Sequence, residues 1–265
     1  MTSSLHAAFE KAKSENRAAL IAYVPAGFPT VEKGYEIIQA IIAGGADIVE
    51  IGWPYSDPLM DGPTIQKAAE MALANGASAK DVMSSVACVK SAGAVPLVMS
   101  YWNPIERYGV DRFCEELTQA GGVGVITPDL TPEEAGDWIL ATEKTGVQRI
   151  FLVAPSSKDN RLEIVANATT GFIYAASLMG VTGTRESVSS HAEVLVGRTR
   201  EVSKLPIAVG LGVSTPEQAK GIAKYADGVI VGSAFVKAVL DAKDHEAALA
   251  AVKKLASELK EGCAR

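Results

Sequence analysis

At 265 residues, with 48% hydrophobic and 21% charged side chains, the chain can bury a core the size of one α/β barrel. A net charge of −6 and scattered basic residues argue against a nucleic-acid binder, and no apolar run reaches the roughly 20 residues of a membrane span. Cys88, Cys114 and Cys263 lack metal-ligand spacing, and His6, His191 and His245 neighbour no nucleophile, which argues against a zinc site or a Ser-His-Asp triad. The segment Met1–Arg17 is polar and amphipathic without a signal-peptide core, so a reduced, soluble, cytoplasmic protein is expected.

In chain order, the pattern predicts a helix over Ser4–Ser14, then eight short apolar runs alternating with helical patterns. The runs are Leu20–Tyr23, Ile48–Ile51, Pro96–Met99, Gly124–Ile126, Ile150–Val153, Phe172–Ala175, Pro206–Val209 and Gly228–Val231. Near-continuous apolar character is the mark of parallel strands covered on both faces. Helix starts are signalled at Ser78, Thr131 and Thr215, each with an acid or amide three residues on. Gly44-Gly45 and Gly121-Gly122 fall at helix ends, and a last helix is expected from His245 to Lys260. Eight strand–helix units with no linker predict a single (β/α)8 TIM barrel over residues 1–265, its bottom covered by the extra N-terminal helix. A doubly wound open sheet is the alternative architecture.

In such a barrel the residues just after each strand line the active face. Glu50 ends the second strand, and Asp57 and Asp61 follow in a loop rich in Pro and Gly. A carboxylate at a strand end is costly to desolvate unless paired or used in chemistry, and two carboxylates in different surroundings can hold different protonation states. The plainer reading is that Glu50 pairs with a neighbouring strand while the aspartates shape turns. After the seventh and eighth strands, Gly210-Leu211-Gly212 and Gly232-Ser233 run into helix starts, as in a phosphate site, with Gly183 a further donor; glycine also serves tight turns. No lysine leaves the sixth strand, and Lys158 and Lys204 lie in polar connections, which disfavours an imine-forming aldolase.

The segments EIGWPYSDPLMDGPTIQ (50–66), YWNP (101–104), PDL (128–130), FLVAP (151–155), GVTG (180–183), GLGVSTP (210–216) and DGVIVGSA (227–234) are spread in order over nearly the full length. On these the chain resembles the tryptophan synthase alpha subunit family. The resemblance implies a carbon–carbon lyase that cleaves indole-3-glycerol phosphate to indole and glyceraldehyde 3-phosphate for tryptophan biosynthesis. It implies no cofactor in this chain, no metal, and an α2β2 heterotetramer with a pyridoxal-phosphate-dependent beta subunit that receives the indole.

Carried over, Glu50 is the acid–base catalyst, Asp61 the partner of the indole N–H, and Tyr174 a residue near the glycerol hydroxyls. Gly183, Gly212, Gly232 and Ser233 are phosphate contacts, and Thr182 bonds the catalytic aspartate when its loop closes. Tyr23, Tyr101 and Leu211 are candidate indole contacts, although core packing explains them equally well. Pro54 and Asp57 belong to the subunit contact, an Asp-Pro turn being the plainer reading of the latter. Trp53 stands where the family usually has a smaller aliphatic residue. A regulatory binding subunit and another phosphate-binding barrel are the competing readings. Retention of Glu50 and Asp61 speaks against the first, and the lack of a strand-end lysine or metal set against the second.

Overall fold

The computed structural model describes residues 4–176, 185–210 and 212–265. Its strands are β1 (Ala19–Pro25), β2 (Ile48–Gly52), β3 (Val95–Met99), β4 (Gly124–Ile126), β5 (Gln148–Ile150), β6 (Leu152–Val153), β7 (Ile173–Ala176), β8 (Ile207–Gly210) and β9 (Gly228–Val231). Every pairing is parallel, in the order β5-β4-β3-β2-β1-β9-β8-β7-β6. The predicted fifth strand is thus longer than expected and interrupted at Phe151. Its first half pairs with β4 and its second with β7, so this one run closes the sheet into an eight-stranded barrel.

The helices before the barrel midpoint are α1 (Ser4–Ser14), α2 (Val31–Ala43), α3 (Pro63–Ala74), α4 (Ala79–Ser91), α5 (Trp102–Tyr108) and α6 (Val110–Ala120). Then follow α7 (Gly136–Thr145), α8 (Asp159–Ala168), α9 (Arg185–Val202), α10 (Pro216–Ala223), α11 (Ser233–Leu240) and α12 (His245–Gly262). At Ser78 and Thr215 the expected caps form. The Ser78 N–H donates to Asp81 at 2.8 Å, and the Gln218 N–H donates to Thr215 Oγ1 at 3.3 Å. At Thr131 the signal starts only a 3-10 turn, Pro132–Glu134, and the helix proper begins at Gly136. There the Thr131 hydroxyl turns to the Glu134 carboxylate at 3.2 Å instead of capping a backbone N–H.

Strand alternation sorts side chains into two layers. Leu20, Ala22, Val24, Val49, Ile51, Val209 and Val229 face the helices. Ile21, Ile48, Leu97, Ile126, Ile150, Phe172 and Ile230 fill the barrel, and α1 sends Leu5, Phe9 and Ala12 into that same inner cluster. The Phe9 and Phe172 rings meet at 5.6 Å, so α1 plugs the bottom as expected. Each such buried aliphatic or aromatic side chain contributes about 1.5–3 kcal/mol.

A charged knot fixes the lower rim. Asp47 accepts from Arg17 at 2.7 and 2.9 Å, from Lys260 at 2.6 Å and from the Leu20 N–H at 2.8 Å, tying β1, β2 and α12 together.

Candidate active site

Inward parity places Glu50 on β2 beside Tyr23 on β1 and Leu97 on β3, one layer above the apolar filling. Its carboxyl is 1% exposed, and neither oxygen has a hydrogen-bond partner among the described residues. Burial pushes its pKa up to about 8. Leaving a carboxyl unpaired in such a place is costly for the ion, so the group is a neutral acid at neutral pH. The plainer reading of Glu50 as a structural ion pair therefore fails: no cation faces it among the described residues.

Glu50 opens into a cavity of about 430 Å3 at the C-terminal ends of the strands. Asp61 stands on its wall, with Tyr23, Tyr174, Gly210, Gly212, Gly232 and Ser233. Asp61 is held from both flanks. The preceding Met60 N–H donates to the Tyr101 hydroxyl at 2.8 Å, and Gln66, one turn into α3, donates through Nε2 to the Asp61 carbonyl at 2.8 Å. Burial raises the Asp61 pKa and the Tyr101 hydroxyl opposes the rise. The two carboxyls thus meet different surroundings: one enclosed in apolar groups without a donor, the other part-buried with one.

The aromatic hydroxyls stay protonated. Burial, then the charges of Asp61 and Glu50, holds Tyr23 well above the usual phenol range, and burial followed by the same two carboxylates, Glu50 first, raises Tyr174. Tyr101 is pushed up to about 12, chiefly by burial. Tyr101 does not line the cavity; it packs on Tyr55 with ring centroids 5.5 Å apart and pins the β2–α3 loop from behind.

Opposite the carboxyls the wall is glycine and helix start. Gly212 has φ +63°, a left-handed conformation that favours glycine. Gly232 caps α11, whose first N–H groups have no acceptor within the helix and meet an anion with the favourable end of the dipole. Thr182, Gly183 and Leu211 lie outside the described residues, as do Leu178 and Met179.

Apolar walls that strand patterning did not single out complete the cavity: Ile65, Met99, Leu152 and Ile230. Their signal is the strand parity shared with Glu50, or, for Ile65, its place in the first turn of α3. Pro54 is buried within the chain, whereas Asp57 is exposed and accepts from the Ser56 hydroxyl at 2.5 Å. Leu59 beside it is 84% exposed. Trp53 turns inward, stacking on Phe113 at 5.6 Å and meeting Tyr108 edge-on at 5.7 Å. Lys158 and Lys204 are exposed, and no group of three or more His, Cys, Asp or Glu is placed to hold a metal ion among the described residues. No helix among them is long and apolar enough to cross a membrane.

Known proteins resemble this chain in sequence and fold. A family profile described as tryptophan synthase alpha chain matches residues 9–264. The tryptophan synthase alpha chain of Thermobifida fusca is 57% identical over 255 residues, covering 95% of this chain and 94% of the relative. That of Streptomyces avermitilis is 57% identical over 252 residues, covering 95% and 91%. Among solved structures, tryptophan synthase from M. tuberculosis in its aminoacrylate-bound form superimposes with a TM-score of 0.90 at 46% identity, covering 99% of this chain and 100% of the matched one. With a profile spanning nearly all its length and relatives more than half identical, this chain belongs to the tryptophan synthase alpha chain family.

Proposed function

We propose that Glu50 and Asp61 divide the acid–base work of a retro-aldol cleavage of indole-3-glycerol phosphate to indole and glyceraldehyde 3-phosphate. The observation that carries this reading is the buried, unpartnered Glu50 carboxyl, protonated at neutral pH, in one cavity with a second carboxyl and a glycine-lined helix start. Family membership supplies the reaction, and the contrast between the two carboxyls supports the division of roles.

Glu50 donates its proton to indole C3, which makes the ring an electron sink. The bond from C3 to the glycerol C3′ then breaks, its electron pair returning to the ring, while the C3′ hydroxyl proton passes back to the Glu50 carboxylate and the carbonyl of the aldehyde forms. Protons balance, and the acid is regenerated. Asp61, ionised, stabilises the positive charge that develops at the ring N–H. A positioned acid–base group of this kind contributes about 10²–10⁴-fold in rate. Tyr174 holds the glycerol hydroxyls. Gly212, Gly232 and Ser233 take the phosphate, with Gly183, and Thr182 orients Asp61. Tyr23, Ile65, Met99 and Leu152, joined by Tyr101 behind and Leu211, bound the indole.

No step calls for a cofactor in this chain. The partner is a beta subunit that uses pyridoxal phosphate to consume the indole, in an α2β2 assembly in the cytoplasm. Exposed Asp57 and Leu59, on the loop anchored by buried Pro54, form part of its contact. The chain over residues 1–265 is one barrel domain. Indole release from indole-3-glycerol phosphate by the purified chain, alone and with beta subunit added, tests the reading. Slow release that rises strongly with the partner is expected; no release in either condition would overturn it.

A further inference from the structure

At the end of the barrel opposite the cavity, a cleft of about 120 Å3 lies between α1, the C-terminal end of α9 and Arg265. Its walls carry Lys13, Arg17, Arg200, Lys204 and Arg265 against Glu10 and Asp227; with Arg17 met by Glu15 and Asp47, the other four cations face two carboxylates, a local excess of two in a chain of net charge −6. From this concentration of cations we propose that the cleft is a second, non-catalytic anion site that takes a polyvalent oxyanion of the phosphate type.

The side chains divide into those already committed and those with capacity to spare. Arg17 donates to Glu15 at 2.7 Å, to Asp47 at 2.7 and 2.9 Å and to the Ala18 carbonyl at 3.1 Å, so its charge is compensated and it offers no free donor. Arg265 is fixed by the Ala223 and Ala226 carbonyls at 2.8 and 2.7 Å. Arg200 uses one terminal nitrogen on Asp227 at 2.8 Å and on the Tyr225 carbonyl at 3.1 Å; no other bond of its guanidinium is made among the described residues. Lys13 and Lys204 are exposed, and neither ammonium has a partner there. The unspent donors therefore come from α1 and from α9 and the turn beyond it, around a rigid floor of committed arginines.

Cations near helix C-termini also answer the negative end of the dipole. That role fits Lys13 and Arg200, in the last turns of α1 and α9. It does not call for Lys204 beyond the helix or for Arg265 from another element, gathered at one cleft. A polyvalent anion bridging them would clamp α1 to the end of α9, and mutual repulsion among the cations would fall.

The test is a titration of the isotopically labelled full chain with inorganic pyrophosphate, following backbone amide NMR signals at constant ionic strength. Glycerol phosphate, run in parallel, separates a free oxyanion from a phosphorylated metabolite. Amides around Lys13 and Leu205 are expected to shift along a saturable isotherm distinct from that of Gly232 and Ser233 in the catalytic cavity. In the doubly substituted Lys13→Gln, Lys204→Gln chain the lower-rim affinity should fall at least about tenfold, equivalent to about 1.4 kcal/mol, with the upper isotherm and indole release unchanged. Saturation by either probe supports the site, and the tighter one names the source. Shifts that sodium chloride reproduces, an affinity the double substitution leaves unchanged, or no lower-rim response to either probe would overturn it.

Discussion

The Tyr23 ring lies against the bare backbone of Gly52: a Cβ at position 52 would stand 2.6 Å from Tyr23 Cζ and closer still to its hydroxyl. On its other side, a Cβ at Gly232 would come within 3.4 Å of Tyr23 Cβ. The ring therefore fills a slot between a glycine two residues beyond Glu50 and the glycine that caps α11. Gly52→Ala should drive it out of that slot and into the cavity. A displacement of about 1 Å at a reacting centre can cost about 10²-fold, so indole release should fall by about that factor while far-UV circular dichroism stays native. Adding Tyr23→Ala should cancel most of the effect of Gly52→Ala, leaving the double variant close to Tyr23→Ala alone. This non-additivity is the signature of a steric couple.

In the proposed mechanism the protonation of Glu50 sets the basic limb of the pH profile. The free chain needs the neutral acid, so kcat/KM for indole formation should decline as pH rises through about 8. The same mechanism uses ionised Asp61, which predicts an acidic limb above the ordinary aspartate range because burial raises its pKa. Asp61→Asn should remove the acidic limb together with most of the rate, and leave the basic limb in place in whatever activity survives.

Glu50 also leaves a mark on stability. Its folded pKa lies above its unfolded value of 4.5, so the folded chain binds the extra proton between 4.5 and about 8. Its contribution is fully present below the unfolded pKa and is lost as pH rises through the folded one. At about 1.4 kcal/mol per unit, the loss is at most on the order of 4–5 kcal/mol. Glu50→Gln carries no such burden: the stability of the variant relative to the parent should increase from about pH 5 to about pH 9 in urea titrations. The same variant should not release indole.

At the lower rim, Asp47→Ala would leave buried Arg17 with only the exposed Glu15 carboxylate, which costs up to about 3–5 kcal/mol, the range for a broken buried pair. A drop in the urea midpoint of that order is expected, with kcat per folded molecule retained because Asp47 is at the end of the barrel away from Glu50.

Much of this was legible in the residues. Continuous apolar runs located every strand, because a barrel strand is covered on both faces and need not alternate visibly. The same feature hid the break at Phe151: nothing in the run from Gln148 to Val153 says that its halves pair with different neighbours. Thr131 misled because its Pro-Glu-Glu sequence satisfies a first-turn pattern that Thr215 and Ser78 realise, while the backbone takes only a 3-10 turn there. Glu50 and Asp61 stood out by position and by family motif. The tight fit of Tyr23 on Gly52 did not, since it depends on a ring crossing between strands far apart in sequence. Gln66, holding the Asp61 carbonyl, was hidden inside a motif read for its glycine and proline.

The division of labour rests on Glu50 being a neutral acid in the resting chain. With carboxyl-labelled glutamate, the 13C NMR signal assigned through Glu50→Gln can be followed across the pH range. A midpoint near 8 is expected. A midpoint in the ordinary glutamate range, near 4, would make the group a carboxylate at neutral pH, and the division of labour between Glu50 and Asp61 would fall.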